Sequence, residues 1–254
     1  MSDKAELLDL ALRVGKKAAE LLSARPDVLE VSTKSSDVDI VTQMDKASEA
    51  LIVSSILAER PNDGMIGEEG AERESTSGIT WVIDPLDGTV NYFYGMPGWN
   101  VSIAAKDKDG VLAGVVVSPT INSTWWATRG GGAFHNGKKL TCNDPVELNR
   151  TMLATGFAYE PEKRSLQLDF INKLLPHIRD IRRNGAAAVD LCFVGSGNVD
   201  AYFESGLHEW DIAAGGLIAQ EAGAIMSQHQ IGGQNFILTA GPHLHQILKN
   251  TLGL

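Results

Sequence analysis

Apolar residues in the first part of the chain recur at helical spacing. Leu7, Leu8, Ala11, Val14, Ala18, Leu21 and Leu22 fall on one stripe and Pro26 closes it, so the pattern predicts an amphipathic helix over 3–24. A second helix is predicted over 43–60, with Ala47, Leu51, Ser54 and Leu57 on one face and Pro61 as its stop. The pattern then shortens to strand-length runs at Met65-Ile66, Thr80–Ile83, Val101–Ala105, Val111–Ser118 and Ser123–Thr128. Gly130, Gly131 and Gly132 mark a turn before Ala133-Phe134, and Asn136-Gly137 is a hairpin signal. After about residue 145, strands near 151–157 and 178–183 alternate with helices near 161–175 and 186–196. Ala201–Glu204 reads as a strand and Trp210–Glu221 as a helix stopped by Gly223. Short strands near 224–227 and 236–240 and a helix over Pro242–Asn250 finish the pattern. This is an α+β layout, with two halves meeting near 145.

Composition narrows the function. At 254 residues the chain suits one large domain or two intimate ones, and 43% hydrophobic content makes it globular. A net charge of −10 disfavours a general nucleic-acid role, which wants a basic face. Anionic substrates stay open, because a bound metal inverts the local field. Two cysteines without a CxxC support neither a disulfide framework nor a zinc knuckle, and Cys192 reads as a core residue. The apolar residues near the start are interrupted by Lys4, Glu6, Asp9 and Arg13, unlike a signal peptide, and no run reaches about 20 apolar residues. A cytoplasmic protein with no membrane or nucleic-acid partner is expected.

The chemistry concentrates in Asp84-Pro85-Leu86-Asp87-Gly88-Thr89. Two carboxylates stand three apart after an apolar run from Ile79 to Ile83, and the residue before a proline is held extended. Gly88 allows close backbone approach, as a phosphate-cradling turn requires. Oxygen ligands of this kind suit Mg²⁺, although a strand-ending turn with two solvated aspartates shares the same sequence. Glu68 and Glu69 follow another short apolar segment and Gly67. Asp211 opens a helix whose Ala213-Ala214-Gly215-Gly216 stretch suggests close packing, and Asp45 lies at the start of the second helix; both also read as helix caps. Lys34 reads as a surface lysine, and Arg182-Arg183 as a solvated strand end or an anion-attracting pair. Glu204 and His208 flank Gly206, within reach of a substrate or of solvent.

Together these segments resemble the inositol monophosphatase family of Mg²⁺-dependent phosphatases. Gly67-Glu68-Glu69 resembles its GEE element, Trp81 through Asn91 its WVIDPLDGTxN signature, and Trp210 through Gly215 its WDxAAG signature. Lys34-Ser35-Ser36 with Asp39 through Asp45 adds to the likeness. The resemblance implies a layered αβαβα sandwich, one phosphatase domain over 1–254, with a metal and phosphate half over 1–145 and a substrate half over 146–254. It implies that Glu68, Asp84 and the Leu86 carbonyl hold one Mg²⁺, that Asp84, Asp87 and Asp211 hold a second, and that Glu68 helps place a weaker third. Asp45 and Thr89 would orient and deprotonate the attacking water, with Glu68 beside them. The Gly88 and Thr89 N–H groups would bind phosphate. Gly185, Ala186, Ala187 and Glu204 would meet the substrate's hydroxyls, with Asp87 and Asp211 bordering them. A homodimer hydrolysing a small polyol phosphate, inositol 1-phosphate first, is the implied protein. Ala186 stands where a threonine is frequent, which leaves the alcohol open. Histidinol phosphate, fructose 1,6-bisphosphate or a nucleotide 3′-phosphate are alternative substrates, and a regulatory protein-binding role is an alternative function. An aspartyl-phosphate mechanism is disfavoured because Asp84 and Asp87 are one residue further apart than that chemistry's motif.

Overall fold

A computed structural model describes residues 3–34 and 38–254. Ser35 and Ser36 of the resemblance lie outside the described residues. The first half contains helices α1 (Asp3–Ser23) and α2 (Gln43–Glu59), separated by a small antiparallel pair, β1 (Val31–Thr33) and β2 (Ile40–Thr42). It continues through β3 (Gly64–Gly67), β4 (Glu72–Arg73), β5 (Thr80–Asp87), the short α3 (Thr89–Phe93), β6 (Asn100–Asp107) and β7 (Gly110–Ser118). Strands β8 (Ser123–Thr128), β9 (Gly132–His135) and β10 (Lys138–Lys139) complete it. These form an eight-stranded sheet in the order β10-β9-β8-β7-β6-β5-β3-β4.

The second half contains β11 (Met152–Thr155), α4 (Pro161–Leu174), β12 (Asp180–Arg182), α5 (Ala187–Gly195) and β13 (Ala201–Ser205). Helix α6 (Glu209–Glu221), strands β14 (Ile225–Ile231) and β15 (Gln234–Ala240), and α7 (Pro242–Leu252) follow. Its five-stranded sheet has the order β12-β11-β13-β15-β14.

Four apolar interfaces stack these elements into the expected αβαβα sandwich. Leu7, Leu10, Val14 and Ile52 of α1 and α2 pack on Ile83, Ile103 and Val115 of the large sheet. The opposite face of that sheet, through Val82, Ala104 and Val116, meets Ala188, Ala214 and Ile218 of α5 and α6. Leu191 and Val194 of α5 also reach Tyr202 and Ile237 of the small sheet. The outer face of the small sheet is covered by Phe170, Leu174, Leu244 and Leu248 of α4 and α7. Thus α5 and α6, made by the second half, form the layer shared by both sheets.

The small residues of α6 are what that middle layer needs. A Cβ on Gly215 would stand 2.8 Å from the Ala188 carbonyl oxygen, and one on Gly114 of β7 would stand 2.9 Å from the Ala214 Cα. Glycine in a helix interior costs roughly 1 kcal/mol against alanine, and here it admits backbone-to-backbone contact on two sides. Cys192 is buried as expected, and Trp81, Trp125 and Cys142 are buried too. The long helices agree with their periodicity. The structure adds β1, β2, β4, β10 and α3, each too short to carry a period, and extends the 224–227 strand to Ile231 in a hairpin with β15. Among the described residues, no helix is long and apolar enough to cross a membrane.

Candidate active site

Strand β5 runs past the point where its apolar run ends. It carries Asp84, Pro85, Leu86 and Asp87 within the sheet, and its pairing with β6 shifts between Asp84 and Asp87. The expected turn therefore begins at Gly88. A bulge tolerates Pro85, which has no N–H to give the ladder. The Asp84 carboxylate accepts the Leu86 N–H (3.1 Å), and the Ser48 hydroxyl of α2 donates to the Pro85 carbonyl (2.8 Å). Gly88 sits at φ 87°, in the left-handed region, and starts α3.

Asp45 and Asp211 hold the same position on two different helices. Thr42 caps α2, and its N–H (2.8 Å) and hydroxyl (2.6 Å) both donate to Asp45 Oδ2. His208 precedes α6, and its N–H donates to Asp211 Oδ2 (2.6 Å). Neither aspartate is the cap itself; each lies three residues in and reaches back, as in a capping box. Both carboxylates gain from the positive end of their helix. Asp45 Oδ1 accepts the Thr89 hydroxyl (2.8 Å), and the same hydroxyl lies 3.0 Å from the Leu86 carbonyl oxygen.

Asp87 joins the two halves. Its Oδ2 accepts the Ala188 N–H (2.8 Å) and the Asn100 side-chain amide (2.8 Å), and its Oδ1 accepts the Ala187 N–H (3.2 Å). The carboxylate thus caps the start of α5 across 100 residues of sequence. The Asn91 amide donates to the Asn184 carbonyl (2.7 Å) beside it. The expected substrate contact Ala187 therefore has its N–H directed at Asp87.

Glu68 is held by Lys34, whose ammonium donates to Glu68 Oε1 (2.8 Å) and also to Glu69 Oε1. Lys34 is therefore part of the site rather than the surface lysine expected. Beneath the loop, Glu49 accepts the Glu69 N–H and the Ala71 N–H, each at 2.9 Å. Ser48, Glu49 and Asn100 were not anticipated. The available signal was polar residues on buried faces: Asp45, Ser48 and Glu49 share α2 with Ile52 and Ile56, and Asn100 lies among the buried Trp99, Val101 and Ser102.

Glu68, Asp84, Asp87, Thr89 and Asp211 line one cavity of about 420 Å³ together with Ala186, Ala187 and Glu204. Burial, followed by the charges of Glu68, Asp87 and Asp211, pushes the Asp84 carboxyl well above the usual range. Asp211 is pushed up by burial and by Asp87, Glu68 and Glu204, against the His208 N–H. Asp87 rises to about 6, because its burial outweighs the Asn100 and Ala188 donors. Burial also raises Asp45, opposed by Thr42 and Thr89. A cluster in which each acid raises the next is short of positive charge.

The donors fit magnesium: all are hard oxygens, and the Leu86 carbonyl lies among them. Among the described residues, no three acids, histidines or cysteines are closed around an ion-sized space. Each carboxylate is instead turned onto a protein donor: Glu68 onto Lys34, Asp84 onto Leu86, Asp87 onto α5, and Asp211 onto His208.

On the alcohol side, Glu204 of β13 accepts the Tyr202 hydroxyl (2.7 Å) and lies against Gly156. Its carboxyl is raised to about 7, chiefly by burial, with Tyr202 and Arg183 opposing. His208 stacks on Trp210 at the cavity wall.

The sequence profile described as the inositol monophosphatase family matches residues 3–250. The chain is 42% identical to Nus factor SuhB of Escherichia coli K12 over 238 residues, covering 92% of this chain and 88% of that protein. It is 40% identical to the inositol-1-monophosphatase of Mycobacterium bovis over 221 residues, covering 83% and 76%. Among solved structures, the extragenic suppressor protein suhB of Bartonella henselae superposes with a TM-score of 0.90 at 30% identity, covering 97% of this chain and 98% of that one. The chain belongs to the inositol monophosphatase family.

Proposed function

We propose that this family member is a Mg²⁺-dependent phosphoric monoester hydrolase acting on a small polyol or sugar phosphate, with inositol 1-phosphate as its first candidate substrate. The observation that carries the reading is the gathering of Glu68, Asp84, Asp87 and Asp211 around one cavity, with Thr89 in its wall and hydrogen-bonded to the buried Asp45. Glu68, Asp84 and the Leu86 carbonyl would hold one ion and Asp84, Asp87 and Asp211 a second, with Glu68 contributing to a weaker third. Bound there, Mg²⁺ would supply an activated water and neutralise the charge of the phosphoryl group and leaving oxygen.

The chain's own groups do the rest. Thr89 donates its hydroxyl proton to Asp45 Oδ1 (2.8 Å), which leaves Thr89 Oγ1 able to accept a proton from the attacking water. Thr42 occupies Asp45 Oδ2, so the orientation of the relay is fixed. The Gly88 and Thr89 N–H groups, at the start of α3, hold the phosphate oxygens. Gly185, Ala186, Ala187 and Glu204 face the alcohol. The inositol-1-monophosphatase name of the M. bovis relative supports the substrate. Histidinol phosphate and fructose 1,6-bisphosphate are the alternatives on the same machinery. The Nus factor name of the E. coli relative supports a second, non-hydrolytic role alongside hydrolysis. A homodimer in the cytoplasm is the expected working form.

Purified protein assayed with inositol 1-phosphate, histidinol phosphate, fructose 1,6-bisphosphate and a nucleotide 3′-phosphate, with and without millimolar Mg²⁺, tests the reading. Turnover of at least one monoester that depends on Mg²⁺ is expected, and Asp84→Asn should lower it by 10³-fold or more, on the order expected for a group acting directly on transition-state charge, with an unchanged circular dichroism spectrum. No Mg²⁺-dependent turnover, or near-normal turnover by Asp84→Asn, refutes it.

A further inference from the structure

The adjacent Arg182 and Arg183 part company in the fold. Arg182 turns to its own strand and pairs with Asp180 (2.6 Å) on the exposed side. Arg183 is also solvent-exposed but lies in the wall of the cavity, with its guanidinium folded over Gly185: a Cβ on that glycine would stand 2.5 Å from Arg183 Nη1. Among the described residues, no carboxylate pairs with Arg183 and no acceptor takes its N–H groups. The other cations of the wall are engaged. Lys34 bonds Glu68 and Glu69, and Lys163 bonds Glu160 Oε1 (2.5 Å).

The acids near Arg183 are satisfied elsewhere. Asp190 takes the Asn184 amide and Glu204 takes the Tyr202 hydroxyl. The guanidinium still lies within their electrostatic reach, because its charge lowers the proton affinity of Glu204, Asp190 and Tyr159 alike. A fork of donors with no acceptor, on the alcohol side of a site whose other end is built for a phosphoryl group, is suited to a second anion.

We propose that Arg183 is a specificity residue that selects a leaving alcohol bearing a second anionic group, a carboxylate or a further phosphate. The inference rests on the phosphatase reading above and, because inositol carries no second anion, shifts its preferred substrate from inositol 1-phosphate toward an ester such as fructose 1,6-bisphosphate. Without Arg183, a second anion in this cavity would face Glu204 and Asp190, and the remaining wall lysines, Lys34 and Lys163, are already paired with glutamates.

Two matched pairs test it at saturating Mg²⁺: 2-phosphoglycerate against glycerol 2-phosphate for the carboxylate, and fructose 1,6-bisphosphate against fructose 1-phosphate for the phosphate. In at least one pair the native protein should favour the anionic partner by about tenfold or more in kcat/KM, the size of one charge-assisted hydrogen bond. The preference should be expressed mainly in KM. Arg183→Gln should bring that ratio below about threefold, and Arg183→Lys should keep an intermediate value, since an ammonium retains charge but not the fork. Which pair responds identifies the anion. Equal kcat/KM within both pairs for the native protein, or an Arg183→Gln variant that lowers both partners equally, overturns the inference and leaves the phosphatase reading intact. Failure to hydrolyse any of the four esters together with inositol 1-phosphate overturns both.

Discussion

Asp84 and Asp87 lie three residues apart on one strand and are held in different ways. Asp84 has one backbone donor and three acidic neighbours, whereas Asp87 is gripped by Asn100 and by two N–H groups of α5. Asn100 is therefore a positioning residue for a proposed metal ligand. Asn100→Ala should weaken Mg²⁺ binding by about 10–100-fold, the usual effect of removing a hydrogen-bonding partner behind a ligand. Isothermal calorimetry checks this without an activity assay, and unchanged affinity would count against Asp87 as a ligand. Glu204 gives a pH test. Its carboxyl rises from 4.5 to about 7 on folding, so the folded protein holds a proton there that the unfolded chain releases. Folding stability from this group therefore falls as pH climbs from 4.5 to 7. Glu204→Gln removes that loss. Its stability relative to the native protein should rise across the same window and reach about 1–3 kcal/mol at pH 8. Urea unfolding at pH 4, 6 and 8 measures it, and a difference independent of pH would refute the assignment.

At the scale of elements, the site is assembled from the starts of helices and the end of one strand. Helices α2 and α6 deliver Asp45 and Asp211 through the same backward-reaching geometry, α3 presents Gly88 and Thr89, and α5 receives Asp87. The close contact of β7 with α6 sets where Asp211 lies. Gly114→Val should therefore cost about 3 kcal/mol or more, because the new side chain meets the Ala214 backbone rather than a movable group. Chemical denaturation checks this, and a loss under about 1 kcal/mol would show that α6 can shift away. The long helices and the motif acids were legible in the sequence, because helical period and the Asp-Pro-Leu-Asp-Gly sequence are local properties. Ser48, Glu49, Asn100 and Lys34 were not, because each acts on a partner distant in sequence: Ser48 on Pro85, Glu49 on the 69–71 loop, Asn100 on Asp87, and Lys34 on Glu68. Asp45 and Asp211 were legible as either site residues or caps; the structure gives both a capping bond, sets Asp211 in the cavity wall and buries Asp45, which reaches the site through Thr89.

For the whole molecule, the layer of α5 and α6 ties the two sheets through one set of small residues, and the acid cluster spans both halves. Mg²⁺ bound there would stabilise the entire fold by mass action. A single unfolding transition is expected, as for one domain over 1–254, and Mg²⁺ at 100 times its Kd should stabilise it by about 2.7 kcal/mol. Asp211→Asn should abolish that increment. Two resolved transitions of which only one responds to Mg²⁺ would show that the halves unfold separately.

The Asp87 clasp also sets an order in time. At about 5–20 residues per second, Asp87 is synthesised roughly 5–20 s before Ala187 and Ala188 exist. The helices that complete the middle layer come later than the eight-stranded sheet they cover, and Asp211 arrives later still. During synthesis, Glu68, Asp84 and Asp87 therefore wait as an acidic edge beside an uncovered apolar face. A chain that stops short of α6 would carry the most recognisable motif of this protein and still lack the second half of its site.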